Sequence, residues 1–492
     1  MSGKPVGMER ASIVHREPTT VPREEILRQR SVMATVRALS GPLGLRYHVM
    51  TFGCQMNEND SEKLAGMLEE MGYAQGSGPE DADLVVVNTC SVRENADGRF
   101  YGNLGILSSI REKTRPGMIV ALCGCMMKQT AVVDRIRRSH SFVDLVFGPS
   151  DLHRFPEMLY RRLTEERRVY EVGSEDPIAE GLPIVRGFKY RALSTIMYGC
   201  DNFCTYCIVP YVRGRERSRP MEAVLGELRG IAAEGFREVL VLGQNVNAYG
   251  KDLGEGDFAT LLEEAARIPG IRRIRFMTSH PRDMSDRLLD VMAASPAVCP
   301  HLHLPLQSGS DDVLRRMNRG YTRADYLRVV NQARARIPGI TLSTDLIVGF
   351  PGETEADFTD TLDLMDHVRF DSAFTFQYSI RPGTPAATME SQIDPAVVTE
   401  RFGRLVELQN AHCLASNRSI EGTMQEVLVE GRDAAGTGRC SGRTPHNRLV
   451  HFPSPGGIGM DRQSLPEGTL VRVLVTKAHS FSLEAEWKET LS

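Results

Sequence analysis

Three cysteines crowd into eight residues at Cys200-Asp-Asn-Phe-Cys204-Thr-Tyr-Cys207. A stretch of eight residues reaches at most about 26–29 Å when extended. A loop this short must curl its three sulfurs around one centre. Thiolates suit iron–sulfur clusters and zinc alike. A structural zinc would ask for a fourth protein ligand, and no fourth ligand stands beside this run, so zinc needs a distant His or Cys. A [4Fe–4S] cube held by three cysteines leaves one iron open, and that iron can bind a substrate or cofactor directly.

A second set is dispersed. Cys54 and Cys90 are 36 residues apart, and Cys90 and Cys125 are 35 apart. Each follows a β-like run. In a parallel sheet that places all three at the carboxyl edge, where ligands bind, so they can ligate a second cluster. Cys123 competes for the third place. Cys125 is preferred because Gly124-Cys125 repeats Gly53-Cys54 and keeps the even spacing. Buried core thiols are the bland alternative. Cys299, Cys413 and Cys440 are isolated and read as ordinary thiols.

The elements that must position these cysteines are legible as patterns. Tyr47–Phe52, Leu84–Asn88 and Met118–Leu122 are β-like. Asn59 or Asp60 can cap a helix whose Leu64, Met67, Leu68 and Met71 recur at helical spacing, with Gly72 ending it. Strand, helix, strand at this spacing predicts a parallel α/β domain over 46–163. Residues 164–185 read as a linker. Across 186–417 six strands alternate with helices, near Leu193–Met197, Val239–Leu242, Ile271–Met277, His301–Leu306, Leu342–Val348 and Ala373–Ser379. That predicts a partial (β/α)6 barrel with function at the C-terminal strand ends. Over 418–485 the runs Val427–Val429, Arg448–Phe452 and Leu470–Thr476 predict a small β-barrel.

Composition bounds the class. The 492 residues imply several domains, with 41% hydrophobic and 25% charged residues, the mix of an ordinary globular chain. No apolar run reaches the roughly 18–20 residues needed to span a membrane, and the first 45 residues hold no apolar h-region, so a secretory signal is not expected. The expected location is the cytoplasm, where ten cysteines are better ligands than disulfides. Residues 1–45 are polar and read as a disordered extension. A net charge of −4 confines any nucleic-acid contact to local basic patches.

The C-x3-C-x2-C run resembles the defining motif of the radical S-adenosylmethionine (SAM) superfamily. In that family the open iron chelates the amino and carboxylate groups of SAM, and an electron from the cluster frees a 5′-deoxyadenosyl radical. The resemblance implies that Tyr206 lies near the adenine of SAM and that Gly243 and Gln244 meet its amino group, with Asp345 and Gly349 as further contacts. Three dispersed cysteines, a radical SAM domain and a small β-barrel together resemble the methylthiotransferases, over residues from about 46 to 485. Tyr198–Arg219, Leu242–Gly250, Thr278–Arg282 and His303–Ser310 are similar to the tRNA-2-methylthio-N6-dimethylallyladenosine synthases. Thr444–Phe452 resembles the RNA-binding TRAM domain of that group.

The resemblance implies two [4Fe–4S] clusters, SAM as methyl donor and radical source, and a methylthio group placed on C2 of a prenylated adenosine beside the anticodon. It implies as partners a tRNA anticodon stem-loop, a flavodoxin- or ferredoxin-type electron donor and a sulfur source, with the chain acting as a monomer. Arg213, Arg215, Arg217, Arg219, Arg443 and Arg448 are candidate phosphate contacts, against the alternative of solvated salt bridges. His301 and His303 share a strand face and are expected to line the barrel top. Two other readings stay open: the same chemistry on a ribosomal-protein aspartate or another tRNA adenosine, and a non-catalytic RNA-binding iron–sulfur sensor.

Overall fold

The computed structural model of the protein describes residues 19–91, 94–254, 256–432, 439–454 and 465–491. The N-terminal unit is built on strands β1 (Arg46–Phe52), β2 (Ala74–Gln75), β3 (Leu84–Thr89), β4 (Ile119–Gly124), β5 (Leu145–Phe147) and β6 (Val169–Glu171). They pair in parallel in the order β2-β1-β3-β4-β5-β6. The run Leu84–Val87 is apolar without alternation because helices cover both faces of the sheet. Leu84 and Val86 pack on one side with Leu64 and Met67. Val85 and Val87 pack on the other with Phe100 and Leu104.

Two expectations for this unit need correction. Residues 1–45 do not form one disordered extension: residues 1–18 lie outside the described residues, but α1 (Arg23–Ser40) is a helix burying Gln29, Met33, Val36 and Ser40. Those positions recur at 4, 3 and 4, a helical stripe too sparse in apolar residues to stand out by composition. Arg28 ties α1 to Glu157 at 2.7 Å. The stretch 164–185 is not a free linker either, since β6 completes the sheet, and Val21 donates its amide to the Ile178 carbonyl at 2.8 Å. Three strand residues are too few for periodicity to reveal.

The middle unit is a parallel barrel of β7 (Arg191–Thr195), β10 (Glu238–Leu242), β11 (Arg273–Phe276), β12 (His301–His303), β13 (Thr341–Val348) and β14 (Ser372–Gln377), with a short antiparallel pair, β8 (Met197–Tyr198) and β9 (Arg217–Ser218), at its rim. The sheets β11-β10-β7 and β12-β13-β14 are joined by a parallel bridge from Ile274 to Val298. Strands and outer helices share one large apolar core.

The C-terminal unit is a closed barrel of β15 (Met424–Arg432), β16 (Cys440–Arg443), β17 (Leu449–Phe452), β18 (Leu470–Ala478) and β19 (Leu483–Leu491). It sits at the end of the middle barrel where the strands begin. Arg273 donates to the Arg443 carbonyl (2.8 Å), Arg275 to that of Thr444 (2.7 Å), and Thr341 to that of His446 (3.0 Å). The first and last of these donors open their strands.

Candidate active site

In register, Phe52 pairs with Thr89 and Thr89 with Gly124. Cys54, Cys90 and Cys125 therefore leave the same sheet edge within two residues of one another. Gly124 has a φ of 96° and lies so close to Thr89 that a Cβ would strike its carbonyl, so only glycine fits there. A Cβ on Gly53 would stand 2.8 Å from Cys90 Cβ. Cys54 is the N-cap of α2 (Gln55–Glu70), so Asn59 and Asp60 do not cap this helix. They lie buried inside it and face the barrel instead. The Cys54 thiol is drawn below its ordinary range by a hydrogen bond with Cys90, with Arg213 assisting and burial opposing. Cys123 points into the sheet core, where burial drives its thiol well up. Cys125 instead packs against Ile208 and Val212, just beyond the other cysteine loop.

That loop is held tightly. Gly199, at φ 77°, would drive a Cβ into Arg215, and its amide donates to Gln244 Oε1 at 2.6 Å. Asn202 donates to Cys200 Sγ at 3.3 Å, and Arg319 to Cys204 Sγ at 3.3 Å. The Cys207 amide donates to the Cys204 carbonyl at 2.9 Å. Burial pushes the Cys200 and Cys207 thiols up to about 12, and the neighbouring thiols push the same way. Among the described residues no three His, Cys, Asp or Glu side chains close around a point as one metal ion requires. A four-iron cube is a wider object.

The barrel mouth is polar and strained. Phe203, Thr278 and Gln307 have left-handed backbones, with φ 46°, 65° and 73°. For a β-branched residue such as Thr278 this is a costly conformation, of the kind that gathers at working sites. Asn245 Oδ1, Ser279 Oγ and His280 Nε2 are buried there without a partner among the described residues. Burial holds His280 neutral, with Arg319 and Arg282 adding to the effect.

The sequence candidates divide by position. Tyr206 and Ile347 pack against the same buried cluster at the mouth, and Asp345 lies 3.4 Å from His303. A Cβ on Gly243 would stand 2.6 Å from Met197 Cγ, so Met197 hems this glycine in. Gln244 is engaged with the cysteine loop. The Gly349 amide donates to Glu353 at 2.9 Å, a turn rather than an open contact.

Four of the six candidate phosphate contacts are structural. Arg213 is buried between Asp60 (2.7 Å) and Cys125 Sγ (2.9 Å). Arg219 lies between Glu180 and Glu227, both at 2.6 Å. Arg217 donates to the Arg213 and Arg215 carbonyls, and Arg448 bonds Asn417, Asp371 and Ser416. Alternation near a cluster loop misled because the segment is a domain interface, where buried guanidinium groups need carboxylates. Arg215 is exposed and pairs with Asp201 at 2.9 Å. Arg443 is partly exposed beside Glu430.

Similar proteins place this geometry. The Radical SAM superfamily model matches residues 194–365, the TRAM domain model residues 418–488, and the model described as Uncharacterized protein family UPF0004 residues 46–148. The tRNA-2-methylthio-N(6)-dimethylallyladenosine synthase of Acetivibrio thermocellus is 48% identical over 477 residues, covering 95% of this chain and 98% of the relative. The synthase of Alkaliphilus oremlandii is 48% identical over 473 residues, 96% and 98% of the two chains. This chain belongs to the tRNA-2-methylthio-N(6)-dimethylallyladenosine synthase family. The solved structure of the radical SAM methyltransferase TsrM from Kitasatospora setae, with tryptophan and aza-SAM bound, superposes with TM-score 0.53 at 17% identity. It covers 70% of this chain and 75% of that one, and so shares the fold.

Radical SAM enzymes use a [4Fe–4S] cluster and SAM, and the residues fit both. Crowded thiols with raised pKa are ill at ease alone, whereas a bound metal deprotonates them outright. The unpartnered Asn245, Ser279 and His280 atoms are what a zwitterionic, hydroxyl-bearing cofactor would engage.

Proposed function

We propose that the chain methylthiolates C2 of N6-dimethylallyladenosine beside the anticodon of tRNA, in the cytoplasm. The observation that carries this reading is that Cys125, from the N-terminal set of cysteines, packs against Ile208 and Val212, just beyond Cys207 of the other set, in a chain 48% identical to such synthases over nearly its whole length. Cys200, Cys204 and Cys207 would hold one [4Fe–4S] cluster, and Cys54, Cys90 and Cys125 a second. When bound, the first supplies the electron that splits SAM and the second supplies sulfur.

The protein's own work is positioning and exclusion. Arg319 and Asn202 give hydrogen bonds to thiolates of the first triad, and Arg213 gives one to the second. Each stabilises negative charge on sulfur in a dry setting. Gln244 fixes the turn before Cys200. Asn245, braced by Glu216 and Asp283 at 3.0 and 2.9 Å, keeps its carbonyl oxygen free toward the mouth. The neutral His280 adds a hydrogen-bonding group without adding charge.

The small barrel supports an extended RNA substrate. It lies at the far end of the middle barrel, about one strand length from the mouth. For the eight-residue β13 that is roughly 25 Å. A substrate held at both ends must span that distance, as a stem-loop does and a free nucleoside does not. An external electron donor, of flavodoxin or ferredoxin type, and an external sulfur source complete the reaction of the monomer.

The test is anaerobic incubation of the reconstituted protein with SAM, reductant and a dimethylallyladenosine-bearing stem-loop, followed by nucleoside mass spectrometry. The methylthio product is expected. Cleavage of SAM with no sulfur transfer to RNA would contradict the reading.

A further inference from the structure

Phe374 and Phe376 stand out in the barrel. They are 53% and 47% exposed, although both belong to a strand whose other face is packed. Ala373 leans on the barrel core, so the two rings face the opposite way. Register places Phe374 beside Asp345 and Phe376 beside Ile347, and aligned residues of parallel neighbours share a face. The same face carries His303, whose ring meets Phe374 edge-on at 5.8 Å, and whose Nδ1 bonds Ser343 at 2.9 Å. This is the inner wall of the barrel. It leads toward the cysteine loop, because Ile347 and Tyr206, which lies between Cys204 and Cys207, pack against the same buried cluster of Val313, Met317, Phe350 and Ala386.

We propose that Phe374 and Phe376 form the apolar subsite that receives the five-carbon dimethylallyl group of the substrate adenosine. This rests on the substrate reading above and deepens it. A dimethylallyl group offers no hydrogen bond, so only apolar area can recognise it. Many of the groups around the subsite are polar or charged: Asn245, His280, His303, Asp345 and Arg319. Two rings at alternate positions of a strand stand about 6–7 Å apart, and a flat branched five-carbon chain can touch both. An exposed aromatic surface on an inner wall marks a ligand-binding face, and the buried cluster that Ile347 shares with Tyr206 puts that face on the side of the cysteine loop.

The experiment compares two anticodon stem-loops that differ only in the dimethylallyl group. Their affinities for the anaerobic holoenzyme are measured by fluorescence anisotropy without reductant, so no turnover intervenes. Wild type binds the prenylated RNA more tightly. Phe374→Ala and Phe376→Ala each reduce that ratio about tenfold, the scale of removing one aromatic ring from a stacked or packed pair. Phe374→Leu, which keeps apolar area, retains most of it. A folding defect would weaken both RNAs alike and leave the ratio intact. An unchanged ratio in both alanine variants overturns the subsite. If wild type shows no preference between the RNAs, the substrate reading itself fails.

Discussion

Arg213 reaches across the domain boundary to Cys125, with Nε 2.9 Å from Sγ. The same guanidinium holds Asp60 at 2.7 Å, and both partners of that pair are almost fully buried. One side chain thus locks the N-terminal sheet edge to the barrel and supplies positive charge to a candidate cluster ligand.

Arg213→Ala leaves Asp60 buried and unpaired. Loss of one partner of a buried pair costs about 3–5 kcal/mol. Denaturant unfolding of the variant should show a loss of that size, with a smaller loss in Arg213→Met/Asp60→Asn. A change below about 1 kcal/mol in the single variant would show the pair to be idle.

Arg319 acts on the other triad through its 3.3 Å hydrogen bond to Cys204 Sγ. Hydrogen bonds to ligand sulfurs stabilise the reduced cluster and set its potential. Arg319→Met should shift the potential of the Cys200/Cys204/Cys207 cluster to more negative values in an EPR-monitored titration. An unmoved potential would assign Arg319 to packing of Pro305 and Tyr321 alone.

Burial lowers the pKa of His280 and His301 below the ordinary 6.5. Both stay neutral in the native state while the unfolded chain protonates them. Their stabilisation is complete above pH 6.5 and is lost as pH falls below it, by up to about 1.4 kcal/mol per pH unit for each. Unfolding measured between pH 7.5 and 5.5 should show this decline, and His280→Gln should flatten it. Stability that rises on acidification would contradict the assignment.

Arg215 and Arg219 should behave differently toward RNA. Arg215→Ala is expected to reduce the slope of log affinity against log salt by about 0.7 for each phosphate that the side chain neutralises. Arg219→Ala should lower stability and leave the slope alone. Equal slope changes in both would restore Arg219 as a phosphate ligand.

The cysteine sets, the six barrel strands and the small barrel were legible because each is a local pattern. Thiols at short spacing, or just after apolar runs, announce themselves. Cys440–Arg443 escaped because glycine, serine and arginine leave it one apolar residue, whereas Leu483, Ala485 and Trp487 do alternate with charged residues and make the start of Leu483–Leu491 readable. The residues that tune the sulfurs left no such trace. Arg213 and Arg319 meet their cysteines across 88 and 115 residues of chain. Arg213 sits in a run of alternating arginines that resembles an RNA-facing strip. Only the packing of the N-terminal sheet edge onto the barrel turns that strip inward.

Iron content tests the central claim most directly. The anaerobically reconstituted chain should hold about eight irons, two four-iron cubes. The triple variant Cys200→Ala/Cys204→Ala/Cys207→Ala should retain about four, and Cys54→Ala/Cys90→Ala/Cys125→Ala the other four. Only about four irons in wild type, or a full complement in either triple variant, would contradict the account.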